Sequence, residues 1–193
     1  MDDMTIFISG TPCTGKTTVS KVLCDKLNVK NEVKLIHVND LVDLDNNLVL
    51  GFDDIKDYKE IDLDLLDEDF NKERELFLNK KTNKPKIIIF EGHLTHFCSN
   101  PTKVIILRVN PSILKERLNK REYKDSKIHE NLEAESLDVC GVESYDYHPF
   151  DTCEIDATDL SIDEVADKII SIMNGELASP VGSINFMDWI LDN

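Results

Sequence analysis

Residues Gly10-Thr11-Pro12-Cys13-Thr14-Gly15-Lys16-Thr17-Thr18 carry the clearest chemistry in the chain, because they fit the spacing G-x-x-x-x-G-K-[ST] at every position. Two glycines let a loop bend into a nest of backbone N–H groups aimed at phosphate oxygens. Lys16 adds a point charge for β- and γ-phosphates, and the Thr17 hydroxyl suits Mg²⁺. A helix starting there turns its positive dipole end toward the anion. The flanks agree with this reading. Thr5-Ile6-Phe7-Ile8-Ser9 reads as a short buried strand, and Val19, Val22, Leu23 and Leu27 recur at helical spacing behind the loop. The pattern is that of a nucleoside triphosphate's phosphate-binding loop.

Phosphoryl transfer also needs a carboxylate near the phosphates to help hold Mg²⁺. Ile87-Ile88-Ile89-Phe90-Glu91 supplies one at the end of an apolar strand, followed by Gly92-His93. His93 reads either as a group that orients water or touches a γ-phosphate, or as a structural histidine. A basic stretch from Lys115 to Lys127 holds Arg117 and Arg121 four residues apart, on one helical face downstream of a strand end. Lys80, Lys81, Lys84 and Lys86 precede a strand and read as a solvated turn.

The elements that must position these groups alternate. Strands are expected at Thr5–Ser9, Val33–Val38, Ile87–Phe90, Val104–Leu107 and Cys153–Ile155, with helices over 16–27, about 62–79, 111–121, about 125–146 and 161–174. That order predicts a three-layer α/β domain with a parallel sheet. Asn110-Pro111 starts one helix and Ser161 with Glu164 caps another. The tail after Asn174 is expected to dock loosely, pinned by Trp189.

The 38 acids against 22 bases give a net charge of −16, which disfavours generic binding to nucleic acid or anionic membrane. Twelve of those acids, against two lysines, fall between Asp40 and Asp69, in a segment read as a solvated mobile arm. Five scattered cysteines, at 13, 24, 98, 140 and 153, suit a reducing cytoplasm, and without a C-x-x-C pair they exclude a zinc-ribbon lid. The acidic start argues against a signal peptide, and no apolar run is long enough to span a membrane. An N-K-x-D guanine reader is missing: Asn79-Lys80-Lys81-Thr82 and Asn83-Lys84-Pro85-Lys86 lack the aspartate.

With these motifs in hand, the chain resembles the adenylate kinase isoenzyme 6 family, in particular its archaeal branch. The likeness rests on the loop at 10–18, His37-Val38-Asn39-Asp40-Leu41, Glu91-Gly92-His93-Leu94-Thr95-His96-Phe97, and Leu107-Arg108 followed by Glu116-Arg117-Leu118 and Lys120-Arg121-Glu122-Tyr123. Glu130-Asn131-Leu132-Glu133-Ala134-Glu135 and Ile155-Asp156-Ala157-Thr158 extend it over about residues 4–175. The resemblance implies a P-loop NTPase fold of the nucleoside monophosphate kinase type, with a five-stranded parallel core. It implies a single domain over 1–175, a monophosphate-binding arm over about 37–60, a short lid over about 120–130 and a tail at 176–193.

In function it implies transfer of the γ-phosphoryl of MgATP to AMP or related monophosphates, an ATPase activity, and a part in small ribosomal subunit maturation through a ribosomal protein of the S11 type. Lys16 and the loop amides would hold the phosphates, and Thr17 and Glu91 the Mg²⁺. Arg121, with Arg108 and Arg117, would offset developing charge, and Asp156, Ala157 and Thr158 would border the adenine. The alternative is an ATP-driven assembly factor that binds and releases that ribosomal protein, with hydrolysis as its switch.

The chain departs from the family pattern in three places. Cys13 replaces a usual glycine, where a side chain is tolerable if the backbone angle stays negative, and Glu91 replaces a usual aspartate. The segment 31–70 contains no arginine, leaving Lys34, Lys56 and Lys59 nearby, with Arg74 and Arg108 to reach an acceptor phosphate.

Overall fold

The computed structural model describes residues 2–53 and 58–192. Five apolar runs become β1 (Met4–Ser9), β2 (Glu32–His37), β5 (Lys86–Glu91), β6 (Lys103–Arg108) and β7 (Thr152–Asp156). They form one parallel sheet in the order β2-β5-β1-β6-β7, with β1 central. The three inner strands β5, β1 and β6 are buried on both faces and so carry near-continuous apolar runs.

Alternate residues feed two cores. Ile6, Ile8, Ile87, Ile89, Ile105 and Leu107 face one side, where α1 (Lys16–Leu27), α4 (Pro111–Asn119) and α7 (Ile162–Met173) lay their apolar stripes. Phe7, Ile88, Phe90, Val104 and Ile106 face the other, under α2 (Val38–Leu44) and α3 (Leu63–Leu78). There Phe70 of α3 stacks on Phe90 with ring centroids 4.2 Å apart and meets Phe7 edge-on at 5.2 Å. Asn110 and Ser161 cap their helices as expected, Ser161 in a complete capping box with Glu164.

Three regions depart from the sequence expectation. The acidic segment holds a two-stranded antiparallel ribbon of β3 (Val49–Asp53) and β4 (Tyr58–Ile61). The expected helix over 125–146 is two, α5 (Asp125–Ser136) and α6 (Val139–Tyr147), because Asp138 turns left-handed at φ 56 with its carboxylate 2.5 Å from Arg108 Nη1. An aspartate tolerates that conformation better than most residues.

The tail is firmly tied rather than loose. Pro180 bridges to Cys153 at the β7 edge, Glu154 N donates to Ser179 O at 2.9 Å, and α8 (Met187–Asp192) places Trp189 against the first core. Among the described residues no helix is long and apolar enough to cross a membrane. Because the strands are parallel, all five C-terminal ends open on one edge of the sheet, where ligands bind in folds of this architecture.

Candidate active site

At that edge the chain leaves β1 through Gly10, whose φ of 131 favours glycine and whose added Cβ would lie 2.5 Å from the Leu107 carbonyl oxygen. Only a residue without a side chain lets the loop pass so close to β6. The loop then closes on itself. Thr14 Oγ1 donates to Thr11 O at 2.9 Å, and Lys16 Nζ donates to Gly10 O at 2.7 Å and Thr11 O at 2.9 Å. Lys16 is buried, and that burial lowers its pKa against the opposing pull of nearby acidic groups. Pro12 is half-buried in the loop, and Thr18 lies exposed at the start of α1.

Cys13 does not meet the condition of a negative backbone angle. Its φ is 69, in the left-handed region, so the side chain sits where glycine is preferred. That conformation costs an ordinary residue about 1–2 kcal/mol.

Parallel pairing of β1 with β5 sets Glu91 beside Ile8, and pairing with β2 sets it opposite His37. The buried Glu91 carboxylate accepts from Thr17 Oγ1 at 3.2 Å and lies 2.5 Å from His37 Nδ1, both through Oε1. An ionised carboxylate only accepts, so the proton of that contact lies on His37 Nδ1. His37 carries no signal by itself in the sequence; only knowledge that its strand neighbours β5 would have exposed it. Two oxygens from Thr17 and Glu91, hard donors on adjacent elements, fit a hard divalent cation. Behind Glu91, a Cβ on Gly92 would lie 2.5 Å from Val38 Cγ2, so the turn into His93 requires glycine.

Two cavities flank this centre. One of about 370 Å³ is lined by Cys13, Gly15, Thr18, Arg117, Arg121 and Ala157, among others. Arg117 Nη1 also reaches Thr14 O at 3.4 Å, so the basic helix leans on the loop. The second, of about 400 Å³, is lined by Val38, Asn39, Asp43, Tyr58, Lys59 and His93, among others. His93 sits on its open rim, and the desolvation of its ring, then the charges of Lys16 and Lys127, lower its pKa below the ordinary value.

His96, by contrast, is structural. It is 1% exposed, and Ser9 Oγ lies 2.8 Å from Nδ1 and Glu143 Oε2 3.2 Å from Nε2. Since Glu143 accepts, His96 carries its proton on Nε2. Burial lowers its pKa to about 4.

Several residues grouped with the site by sequence lie elsewhere. Arg108 is 1% exposed and enclosed by Glu135, Asp138 and Glu154, so its guanidinium is committed to buried carboxylates rather than open to phosphate. Arg74 Nε donates to Thr5 Oγ1 at 3.2 Å, near the opposite end of β1. Lys34 pairs with Glu73. Lys59 pairs with Asp43 at 3.7 Å, and Lys56 lies outside the described residues.

Of the three residues expected beside adenine, only Ala157 lines the first cavity. Asp156 Oδ1 accepts from Thr158 N at 2.9 Å in a local turn, and Thr158 Oγ1 accepts from Asn110 N at 2.8 Å, tying the exits of β7 and β6 together. Glu135 was missed as well: its carboxylate accepts from Thr11 Oγ1, inside the phosphate loop. Its distance in sequence from the loop leaves no local signal for that contact.

The family model described as AAA domain matches residues 6–138. A protein of Methanothermobacter thermautotrophicus, described as "Putative adenylate kinase", is 37% identical over 186 residues, covering 96% of this chain and 99% of its own. Another so described, from Methanocaldococcus jannaschii, is 41% identical over 167 residues, covering 86% of this chain and 84% of its own. The thymidylate kinase of Candida albicans superposes with a TM-score of 0.54 at 15% identity, covering 90% of this chain and 92% of its own. A shikimate kinase from Acinetobacter baumannii superposes with a TM-score of 0.53 at 13% identity, covering 90% and 94%. The fold is therefore that of the P-loop nucleoside monophosphate kinases.

Two expectations follow from the local physics. At position 13 glycine should be about 1 kcal/mol more stable than alanine, the reverse of their order in ordinary backbone, because only alanine keeps a Cβ at positive φ. Urea midpoints of Cys13→Gly and Cys13→Ala check this; a less stable glycine variant contradicts it.

For His96, the folded pKa lies below the ordinary value of 6.5, so its stability contribution is present above that pH and is lost as pH falls toward 4. His96→Asn keeps an acceptor for Ser9 and does not titrate. Its melting temperature should fall less than wild type between pH 7 and 4.5, by roughly 5 °C for about 2 kcal/mol. Equal slopes would count against it.

Proposed function

The chain belongs to the family of these archaeal adenylate kinase relatives, and we propose that it transfers the γ-phosphoryl of MgATP to AMP or a related nucleoside monophosphate, hydrolysing ATP when no acceptor is bound. One observation carries the reading: Thr17 Oγ1 reaches the Glu91 carboxylate at 3.2 Å between the phosphate loop and the end of β5, with a cavity on either side for donor and acceptor.

In this reading the loop amides and Lys16 bind the β- and γ-phosphates. Lys16 leaves the Gly10 and Thr11 carbonyls to do so, and its burial strengthens the attraction. Thr17 and Glu91 hold Mg²⁺, directly or through water, and His37 fixes the Glu91 carboxylate by its hydrogen bond. When bound, Mg²⁺ neutralises charge on the phosphate oxygens.

Arg121 and Arg117 approach from the basic helix end and the segment over about 120–130, which acts as the lid, and Lys16 and these arginines offset charge developing in the transition state. His93, neutral at pH 7, serves as an acceptor or donor toward the nucleophile from the rim of the second cavity. Helix α2 and the β3–β4 ribbon form the monophosphate arm of a single domain over 1–175. Closure of arm and lid excludes water and so favours AMP over hydrolysis.

A second reading draws on a separate observation. Among the described residues that line the second cavity there is no arginine, and Lys59 lies 3.7 Å from the Asp43 carboxylate. A phosphate dianion is best clamped by arginine forks, so this cavity supports weak monophosphate turnover beside a hydrolytic switch. The net charge of −16 suits steering of a basic protein, and a small-subunit ribosomal protein of the S11 type is the partner this reading proposes.

ADP formation from ATP, with and without AMP, distinguishes the readings. AMP is expected to raise ADP formation above ATP alone, and Lys16→Ala to lower both rates by about 10²–10³. No rise with AMP contradicts the kinase reading and leaves the hydrolytic one. No ADP in either condition for wild type contradicts both.

A further inference from the structure

Behind the phosphate loop lies a buried charge cluster that the proposed chemistry does not use. Arg108 Nε donates to Glu135 Oε1 at 3.0 Å, and its Nη2 donates to the Glu135 backbone oxygen at 2.7 Å. Its Nη1 lies 2.5 Å from Asp138 Oδ1 and 3.5 Å from Glu154 Oε2. The side chains of Arg108, Glu135 and Glu154 are 2%, 1% and 0% exposed. One guanidinium thus faces three carboxyls out of water.

Such a cluster is a poor way to stabilise a fold, since well-packed apolar residues do as well. What distinguishes it is where the remaining carboxylate oxygens point. Glu135 Oε2 accepts the hydroxyl of Thr11, whose backbone carbonyl also holds Lys16. Glu135 Oε1 accepts from Val109 N at 2.9 Å, fixing the carboxylate to the exit of β6. On the far side, Glu154 Oε1 accepts from Ser183 N at 2.6 Å, Ser183 Oγ at 2.9 Å and Ile184 N at 2.7 Å, all from the C-terminal tail. The same tail lays the Phe186 ring 5.3 Å from the Arg108 guanidinium carbon. Tail and loop therefore hold opposite ends of one ion-pair chain.

We infer that Glu135 is a positioning residue of the phosphate loop and that the docked C-terminal tail, acting through Glu154, Phe186 and Arg108, holds it in place. Phe186 packs on the guanidinium face and Glu154 on its edge. They leave Arg108 in the one orientation that presents both Nε and Nη2 to Glu135. Glu135 then holds Thr11 and with it the backbone of the loop that is to receive a phosphate. A loop preorganised in this way binds phosphate without first giving up freedom of its own. The inference rests on the reading of residues 10–18 as an ATP phosphate site.

The test is a double-mutant cycle on MgATP affinity in the full chain, measured by calorimetry, with Thr11→Val and Phe186→Ala as its sides. Thr11→Val removes only the hydroxyl, and Phe186 is a half-buried tail residue on the surface, so both variants are suited to folding. Each alone is expected to weaken MgATP binding about 5–10-fold, and Thr11→Ser to bind at least fivefold tighter than Thr11→Val. With Thr11 already valine, Phe186→Ala should cost less than twofold more, because the chain it acts through is cut.

A tail that merely stabilises the fold would give the same loss of affinity in both backgrounds, and that result overturns the inference, as does an unchanged affinity in Phe186→Ala. Wild type that fails to bind MgATP would instead overturn the phosphate-site reading on which the inference stands.

Discussion

The parallel pairing of β1 with β5 is the constraint on which the site depends. It puts the last residue of β5, Glu91, level with Ile8 near the end of β1, so a carboxylate meets the first helical hydroxyl after the phosphate loop. With the strands antiparallel, Glu91 and Thr17 would lie at opposite edges of the sheet. The apolar runs that make those strands, Ile6-Phe7-Ile8 and Ile87 to Phe90, are buried on both faces and fix that pairing by packing. Core and chemistry are thus two consequences of the same register.

Around that centre, charge is distributed with a purpose that the total of −16 conceals. The basic residues that face open solvent near the loop, Arg117, Lys120 and Arg121, line one cavity. The other cavity has an acid, Asp43, against its lysine. In the proposed reading, a triphosphate tail would benefit from the first arrangement, whereas an acceptor phosphate would find little to clamp it in the second. The two cavities are therefore unequal in positive charge, and the proposed transfer to a monophosphate and the proposed hydrolysis draw on them differently.

Much of this was legible from sequence where the determining interactions are local. The phosphate loop, the five strands, the caps at Asn110 and Ser161 and the carboxylate at Glu91 depend on a few adjacent residues, and each is found where the pattern puts it. What escaped depends on contacts between segments far apart in the chain. His37 gains meaning only once β2 is known to neighbour β5. Arg108 reads as a free cation until Glu135, Asp138 and Glu154 close around it, and the tail reads as loose until Glu154 is seen to gather its amides. Cys13 is a different kind of miss: its backbone angle is set by the closing of the whole loop, so the residue type gave no warning.

The most direct measurement of the central claim compares the affinity of ATP in Mg²⁺ with that in a chelator, for wild type and Glu91→Gln. If Thr17 and Glu91 together complete the phosphate site, wild type binds ATP at least tenfold more tightly with Mg²⁺, and that advantage largely disappears in the variant. An equal Mg²⁺ advantage in both proteins would contradict the account.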